Sequence, residues 1–207
     1  PQLIIDYSIF IGEFYIGLFI LWTILIGFGY IFLKRDIFRL MRFVREPTML
    51  AFATASSESA YPKTMDALNK FGVPKRITSF VLPLGYSFNL DGSMMYMAFA
   101  VLFIAQAYNI DLSFGQQALI LFTLMITSKG IAGVSRASIV VIASTLAMFK
   151  LPEAGILLIL AIDQFLDMGR TATNVIGNSI ATAVIARTEG DKHGVPEEEA
   201  VEALAPV

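Results

Sequence analysis

Residues 77–108 read ITSFVLPLGYSFNLDGSMMYMAFAVLFIAQAY. Two apolar arms, Ile77–Phe88 and Met94–Tyr108, flank the polar run Asn89-Leu90-Asp91-Gly92-Ser93. A bilayer core of ~30 Å needs ~20 helical residues, so neither arm spans it alone and the two together do. Asp-Gly is a common turn dipeptide, and a turn outside the membrane is the plain alternative. Inside so long an apolar run the polar centre predicts one discontinuous membrane helix, unwound at residues 89–93. The unwound stretch offers the Asn89 amide, the Asp91 carboxylate, the Ser93 hydroxyl and free carbonyls. Hard oxygen donors of this kind suit Na⁺ at Asn89 and Asp91, or a proton-linked equivalent.

The composition agrees with a membrane setting. Of 207 residues, 56% are hydrophobic and only 15% charged, against ~45–50% and ~25% in soluble domains. Cysteine is absent and the one histidine, His193, lies in a polar tail. No thiolate site, disulfide framework or histidine metal cluster is therefore expected, and no cofactor. No basic face interleaved with aromatics appears, so no nucleic-acid partner is expected. With Pro1 first and no signal peptide, the chain reads as part of something longer.

Working outward, residues 8–34 predict a membrane helix whose run Phe10–Leu33 carries one charge, Glu13. A basic stretch follows, Lys34 to Arg45, which the positive-inside rule puts in the cytoplasm. Residues 48–72 hold Ser56-Ser57-Glu58-Ser59 and Pro62 at their centre. Lipid would not tolerate that centre, and basic residues stand at both ends, so a re-entrant hairpin is expected. Residues 114–149 interrupt another apolar run at Ser128–Arg136, and arms of about a dozen residues predict a second hairpin, entering from outside. Residues 34–76 hold nine of the fifteen Lys and Arg, and the inferred outer loops hold only Lys150. A hairpin followed by a helix with a polar centre thus occurs twice, in opposite senses. Such inverted repeats with broken helices are a transporter signature. The acidic residues 190–207 are expected to form a disordered cytoplasmic tail.

Residues 152–187 predict a helix with Pro152 in its first turn. Asp163, Asp167, Arg170, Asn174 and Asn178 recur along it at helical spacing, within about 80° of one another at ~100° per residue. A charge at the bilayer centre costs at least ~2.5–3.5 kcal/mol, so this stripe must face protein or a hydrated cavity. A self-satisfied network joining helices is one reading. The other is a polar ligand site. Arg170 offers a planar fork for a carboxylate. Asp167 accepts from an ammonium group, and Asn174 donates to a second carboxylate. Those groups complement an acidic amino acid. At the hairpin tips, half-helix N–H groups suit anions, although Ser-rich turns are weak evidence alone.

Four stretches together resemble one family. They are Ala55–Pro62, Phe80–Ser93, Ser128–Val134 and Ile162–Asn178, and the resemblance covers roughly residues 8–189. The chain resembles the C-terminal half of the dicarboxylate/amino-acid:cation symporters, the glutamate-transporter family. The resemblance implies an all-α membrane protein in which residues 1–189 are part of an elevator-type transport domain moving against a trimeric scaffold. The scaffold helices, and a helix completing one cation site, would precede Pro1, so this part alone should not transport. It implies substrate contacts at Ser56, Ser57, Gly133, Asp167, Arg170, Thr171 and Asn174. It implies cation or proton coupling around Gly85, Asn89, Asp91, Ser93, Ser128, Asn178 and Glu58. Departures from the family matter as well. Sodium-coupled members carry an aspartate where Asn178 stands, which favours protons here. Animal members carry a proton-bearing glutamate where Met97 stands. A second arginine, frequent in the family, is replaced by Ala55 and Met168, while Arg136 stands at the second tip. We expect Glu58 and Arg136 to form a gate ion pair, with Glu58 a proton carrier. Asp167 leans toward an amino acid, whereas Ser56–Ser59 resembles the C4-dicarboxylate branch.

The expected activity is import of glutamate, aspartate or C4-dicarboxylates across the cell inner membrane, driven by H⁺ or Na⁺. A dicarboxylate-only symporter and an ion channel are the alternatives within membrane transport. An intramembrane aspartyl protease would need two carboxylates sharing a proton. Arg170, one turn from Asp167, would hold that carboxylate ionised, and the Gly-x-Gly-Asp context is missing.

Overall fold

A computed structural model describes residues 2–130 and 137–190. Among these residues all regular structure is helical and no strand is present. Two stretches, Ile4–Leu33 and Lys75–Ala107, are long and apolar enough to cross a bilayer by length and composition.

Helix α1, Gln2–Leu33, is apolar on every side. Phe14 and Leu18 are buried while Ile16, Phe19 and Ile24 on the opposite face are largely exposed. Lys34, at φ 55°, turns the chain into α2, Asp36–Thr54. The arm therefore starts before residue 48, and the helix runs on through Pro47. Ala55 ends α2 in the left-handed region at φ 48°. Extended Ser56 then caps α3, Ser57–Phe71, its hydroxyl accepting from the Ser59 N–H at 3.3 Å. Gly72, at φ 115°, closes α3, with its own N–H on Asn69 O and that of Val73 on Leu68 O at 3.0 Å. That pair of bonds is a Schellman ending.

Helices α4, Lys75–Phe88, and α5, Asp91–Ala107, are the two arms of the interrupted run. The break is confined to Asn89 and Leu90, shorter than the polar sequence, because Asp91 already stands in the first turn of α5. Helix α6, Phe114–Thr127, opens with a Ser113/Gln116 capping box and leads into a tight turn at Ser128–Gly130. Helix α7 covers Ala137–Met148. Gly133 and Arg136 lie outside the described residues, as does the acidic tail beyond Gly190.

The helix expected over 152–187 is divided. A tight turn at Glu153–Gly155 and a short α8, Ile156–Leu160, precede α9, Asp163–Thr188. The chain breaks at Ala161–Ile162, and Asp163 falls in the first turn of α9. A carboxylate there faces the positive end of the helix dipole. The Tyr96 hydroxyl donates to it at 2.6 Å, fixing α5 against the start of α9.

Two apolar clusters flank α9. One joins the first half of α1 with α5, α6, α7 and α8, and the other joins α2, α3 and α4 with the second half of α9. Helix α9 is thus buried along most of its length. Trp22 ties α1 to it, donating to the Thr173 hydroxyl at 2.7 Å.

Helix α5 approaches α9 so closely that Gly92 has no room for a Cβ, which would overlap the Arg170 carbonyl. Backbone cannot move aside cheaply, and overpacking costs ~1–3 kcal/mol. Gly92→Ala should lower the melting temperature of the full-length protein by several degrees. Gly12→Ala, with nothing near its Cβ, should leave it unchanged or slightly raised, as helical Ala replaces Gly.

Candidate substrate and cation site

Four members of the stripe on α9, Asp163, Asp167, Asn174 and Asn178, are each no more than 4% exposed. Two centres form along it. In the first, Arg170 directs Nε and Nη2 onto Oδ1 of Asp167. Its Nη1 donates to the Ser93 hydroxyl and to the Ser138 hydroxyl, both at 3.2 Å. One guanidinium therefore ties α9 to α5 and α7. The planar fork makes this possible, since lysine lacks the fixed donor array.

Asn174 completes this centre. Its Oδ1 accepts from the backbone N–H of Gly92 at 2.9 Å and of Ser93 at 3.3 Å. Its Nδ2 donates to the Ser93 hydroxyl at 2.9 Å. Leu90, at the N-cap of α5, supplies no side-chain cap. Asn174 provides that acceptor from another helix, meeting N–H groups that a helix start leaves unpaired. Ser93 thus sits between Arg170 and Asn174, whereas the sequence groups it with the cation residues.

The second centre lies at the break. The Asn89 amide is 3.2 Å from Asn178 Oδ1 at one end and 3.2 Å from both Asp91 oxygens at the other. With both amides turned over, Asn89 donates to the Asp91 carboxylate and accepts from the Asn178 Nδ2; with neither turned, Asn89 Nδ2 donates to Asn178 Oδ1. Gly85 lies against Asn178, where a Cβ would overlap the amide oxygen. Cavities of about 270 Å³, reaching Asp91, and about 430 Å³, reaching Gly85 and Asn178, flank this centre. One carboxylate and two amides form a hard oxygen set with a single negative charge, which suits a monovalent cation or a proton. Among the described residues no group of three or more His, Cys, Asp or Glu side chains could hold a metal ion.

Other expected residues lie around these centres. Thr171 is buried, its hydroxyl donating to Asp167 O at 2.7 Å. Ser128 is buried and donates to Met125 O at 3.2 Å. The turn between α2 and α3 leans on α9 through Ala51, Ala60 and Val175. There Ser57 O accepts from the Tyr86 hydroxyl at 3.2 Å, and exposed Glu58 accepts from the Ser56 hydroxyl at 3.0 Å. The structure adds Ser138, Tyr86 and Lys129, which the sequence does not single out. Lys129 stands inside the polar interruption Ser128–Arg136 and Ser138 just after it, where nothing local sets them apart from their neighbours. Tyr86 looks like any membrane aromatic.

The family described as the sodium:dicarboxylate symporter family matches residues 1–188. A proton/sodium-glutamate symport protein of Bacillus caldotenax is 50% identical over 173 residues, 84% of this chain and 41% of the relative. A proton/glutamate-aspartate symporter of Escherichia coli is 50% identical over 150 residues, 72% of this chain and 34% of the relative. A C4-dicarboxylate transport protein of Bacillus subtilis is 42% identical over 165 residues, 79% of this chain and 39% of the relative. The chain belongs to the sodium:dicarboxylate symporter family. It spans roughly two fifths of the length of these curated relatives.

Removing one member of a buried ion pair costs ~3–5 kcal/mol, and removing both costs less. Asp167→Asn and Arg170→Gln should each lower the thermal stability of the full-length protein. The double variant should be more stable than the sum of the two losses. Melting curves of the four proteins in one detergent check this, and strictly additive shifts would show that the pair is not coupled.

Proposed function

We propose that the full-length protein is a secondary active symporter that imports acidic amino acids, glutamate or aspartate, and is driven by protons. The observation that carries this reading is the Asp167–Arg170 ion pair beside Asn174 on one buried face of α9. An acidic amino acid brings an ammonium group and two carboxylates. Its ammonium takes Asp167, its side-chain carboxylate takes Arg170, and the remaining carboxylate displaces Ser93 from the Asn174 amide. Binding then exchanges an internal ion pair for two intermolecular ones, so neither charge is left buried alone. The named activities of the relatives, glutamate, glutamate-aspartate and C4-dicarboxylate transport, support this substrate class.

Transport of C4-dicarboxylates is the second reading, favoured by the dicarboxylate transport protein among the relatives. A dicarboxylate has no ammonium group for Asp167. That carboxylate would then have to be protonated or pay the desolvation cost of a buried charge.

In this reading the α2–α3 and α6–α7 pairs are re-entrant hairpins entering from opposite sides. With the broken helices they form an inverted repeat within residues 1–189, part of an elevator-type transport domain. The tips carry the gate, with Glu58 and Arg136 as its ion pair. Scaffold helices outside this chain join three copies into a homotrimer in the cell inner membrane, with residues 190–207 on the cytoplasmic side. Asn178 favours protons over sodium, since an amide brings no counter-charge for a metal ion.

Full-length protein in proteoliposomes should accumulate labelled aspartate under an imposed proton gradient in sodium-free buffer. Strict dependence on a sodium gradient would refute proton coupling. Absence of aspartate uptake under either gradient would refute the acidic-amino-acid reading, and absence of succinate uptake as well would refute the symporter reading. Asp167→Asn should reduce aspartate and glutamate uptake by about tenfold or more, since a charged group buried without its partner costs over ~1–3 kcal/mol. Succinate uptake should fall far less, and equal losses would give Asp167 another role.

A further inference from the structure

Lys129 belongs to the tight turn at Ser128–Gly130, and its ammonium donates to the carbonyl of Phe88 at 2.6 Å. Phe88 is the last residue of α4. A helix ends with carbonyls that lack intrahelical donors, and the dipole places about half a negative charge there. The end of α4 faces the two-residue break before α5, and the Lys129–Phe88 contact lies on the exposed surface of this chain. Asp91, three residues on, adds a carboxylate in the first turn of α5. Arg170 is engaged with Asp167 and Ser93. Glu189, the C-cap residue after α9, also lines the larger cavity. At the break itself the charges are thus the Asp91 carboxylate and the half-helix end on one side and the Lys129 ammonium on the other. Asn89 and Asn178 are neutral.

We infer that Lys129 is a tethered monovalent cation: its ammonium occupies the carbonyl end of α4 in place of a free metal ion, and this makes the site at the break indifferent to sodium. The inference rests on the symporter reading and deepens it, because it names a second residue, beside Asn178, that bears on the coupling-ion preference. A free cation at such an end would need several carbonyls and a counter-charge. Lys129 already brings the charge, covalently held on the α6–α7 connection.

The test compares the full-length protein with Lys129→Met, which keeps length and removes charge, and Lys129→Arg, which keeps charge. Aspartate affinity is measured while sodium replaces choline at constant ionic strength. The melting temperature is measured against sodium alone, without substrate. Wild type and Lys129→Arg should be indifferent to sodium in both measurements. Lys129→Met should lose about two- to fivefold in affinity without sodium, the scale of a charge at an exposed helix end. Millimolar sodium should restore that loss and raise the melting temperature of this variant only. An unchanged affinity in Lys129→Met, a loss that sodium, lithium and methylammonium all fail to restore, or an equal sodium response in all three proteins would overturn the inference. If wild type binds no acidic amino acid, the acidic-amino-acid reading fails, and the melting comparison still decides the role of Lys129.

Discussion

The Asp167–Arg170 ion pair is buried in a helix that apolar clusters enclose on both flanks. Withdrawing two charges from water is costly, and their attraction repays it only when the geometry is good and further hydrogen bonds satisfy the remaining groups. The surroundings follow from that demand. Ser93 and Ser138 must bring hydroxyls to Arg170 from two other elements, so α5 and α7 have to meet α9 at this level. Gly92 must have no side chain, so that the start of α5 can lie against the Arg170 carbonyl. Asn174, one turn further on, caps the N–H groups exposed by that start.

The same logic explains why the helices are broken. A continuous helix satisfies its own backbone and has nothing left to offer a polar ligand. Interrupting one inside an apolar environment releases N–H groups on one side and carbonyls on the other, and each must find a partner. Here Asn174 meets the first set and Lys129 the second. The broken helix is therefore held by side chains from two different elements, α9 and the turn after α6. A change at either one is transmitted to the break, where Asn89 joins Asp91 to Asn178. The centre at Asp167, Arg170 and Asn174 and the centre at Asn89, Asp91 and Asn178 share α9, with Asn174 and Asn178 one turn apart along it.

Much of this was legible in the sequence, and the reasons are specific. Polar residues inside a long apolar run are expensive, so Asn89–Ser93 and Ser56–Ser59 mark chain interruptions, and the structure turns at Asn89–Leu90 and at Ala55–Ser56. Helical spacing put Asp167, Arg170, Asn174 and Asn178 on one face, and that face is buried. The break at Ala161–Ile162 was not legible, because neither residue opposes a helix and nothing local signals the stop. Pro47 points to a boundary, yet α2 runs through it. The partners across elements were hidden too. Nothing in the α5 sequence says that its cap comes from Asn174, and nothing near Lys129 says that it reaches Phe88. Such pairings depend on tertiary approach, which a single sequence does not encode locally. That the Ser93 hydroxyl meets Arg170 and Asn174 was hidden for the same reason.

The central claim is that the face of α9 carrying Asp167, Arg170 and Asn174 is where an acidic amino acid binds. The most direct test is an experimental structure of the full-length protein with aspartate bound. The account predicts the ammonium group on Asp167, the side-chain carboxylate on Arg170, and the Asp167–Arg170 contact opened between them. Aspartate seated elsewhere, with that ion pair still closed and Ser93 still between Arg170 and Asn174, would contradict it.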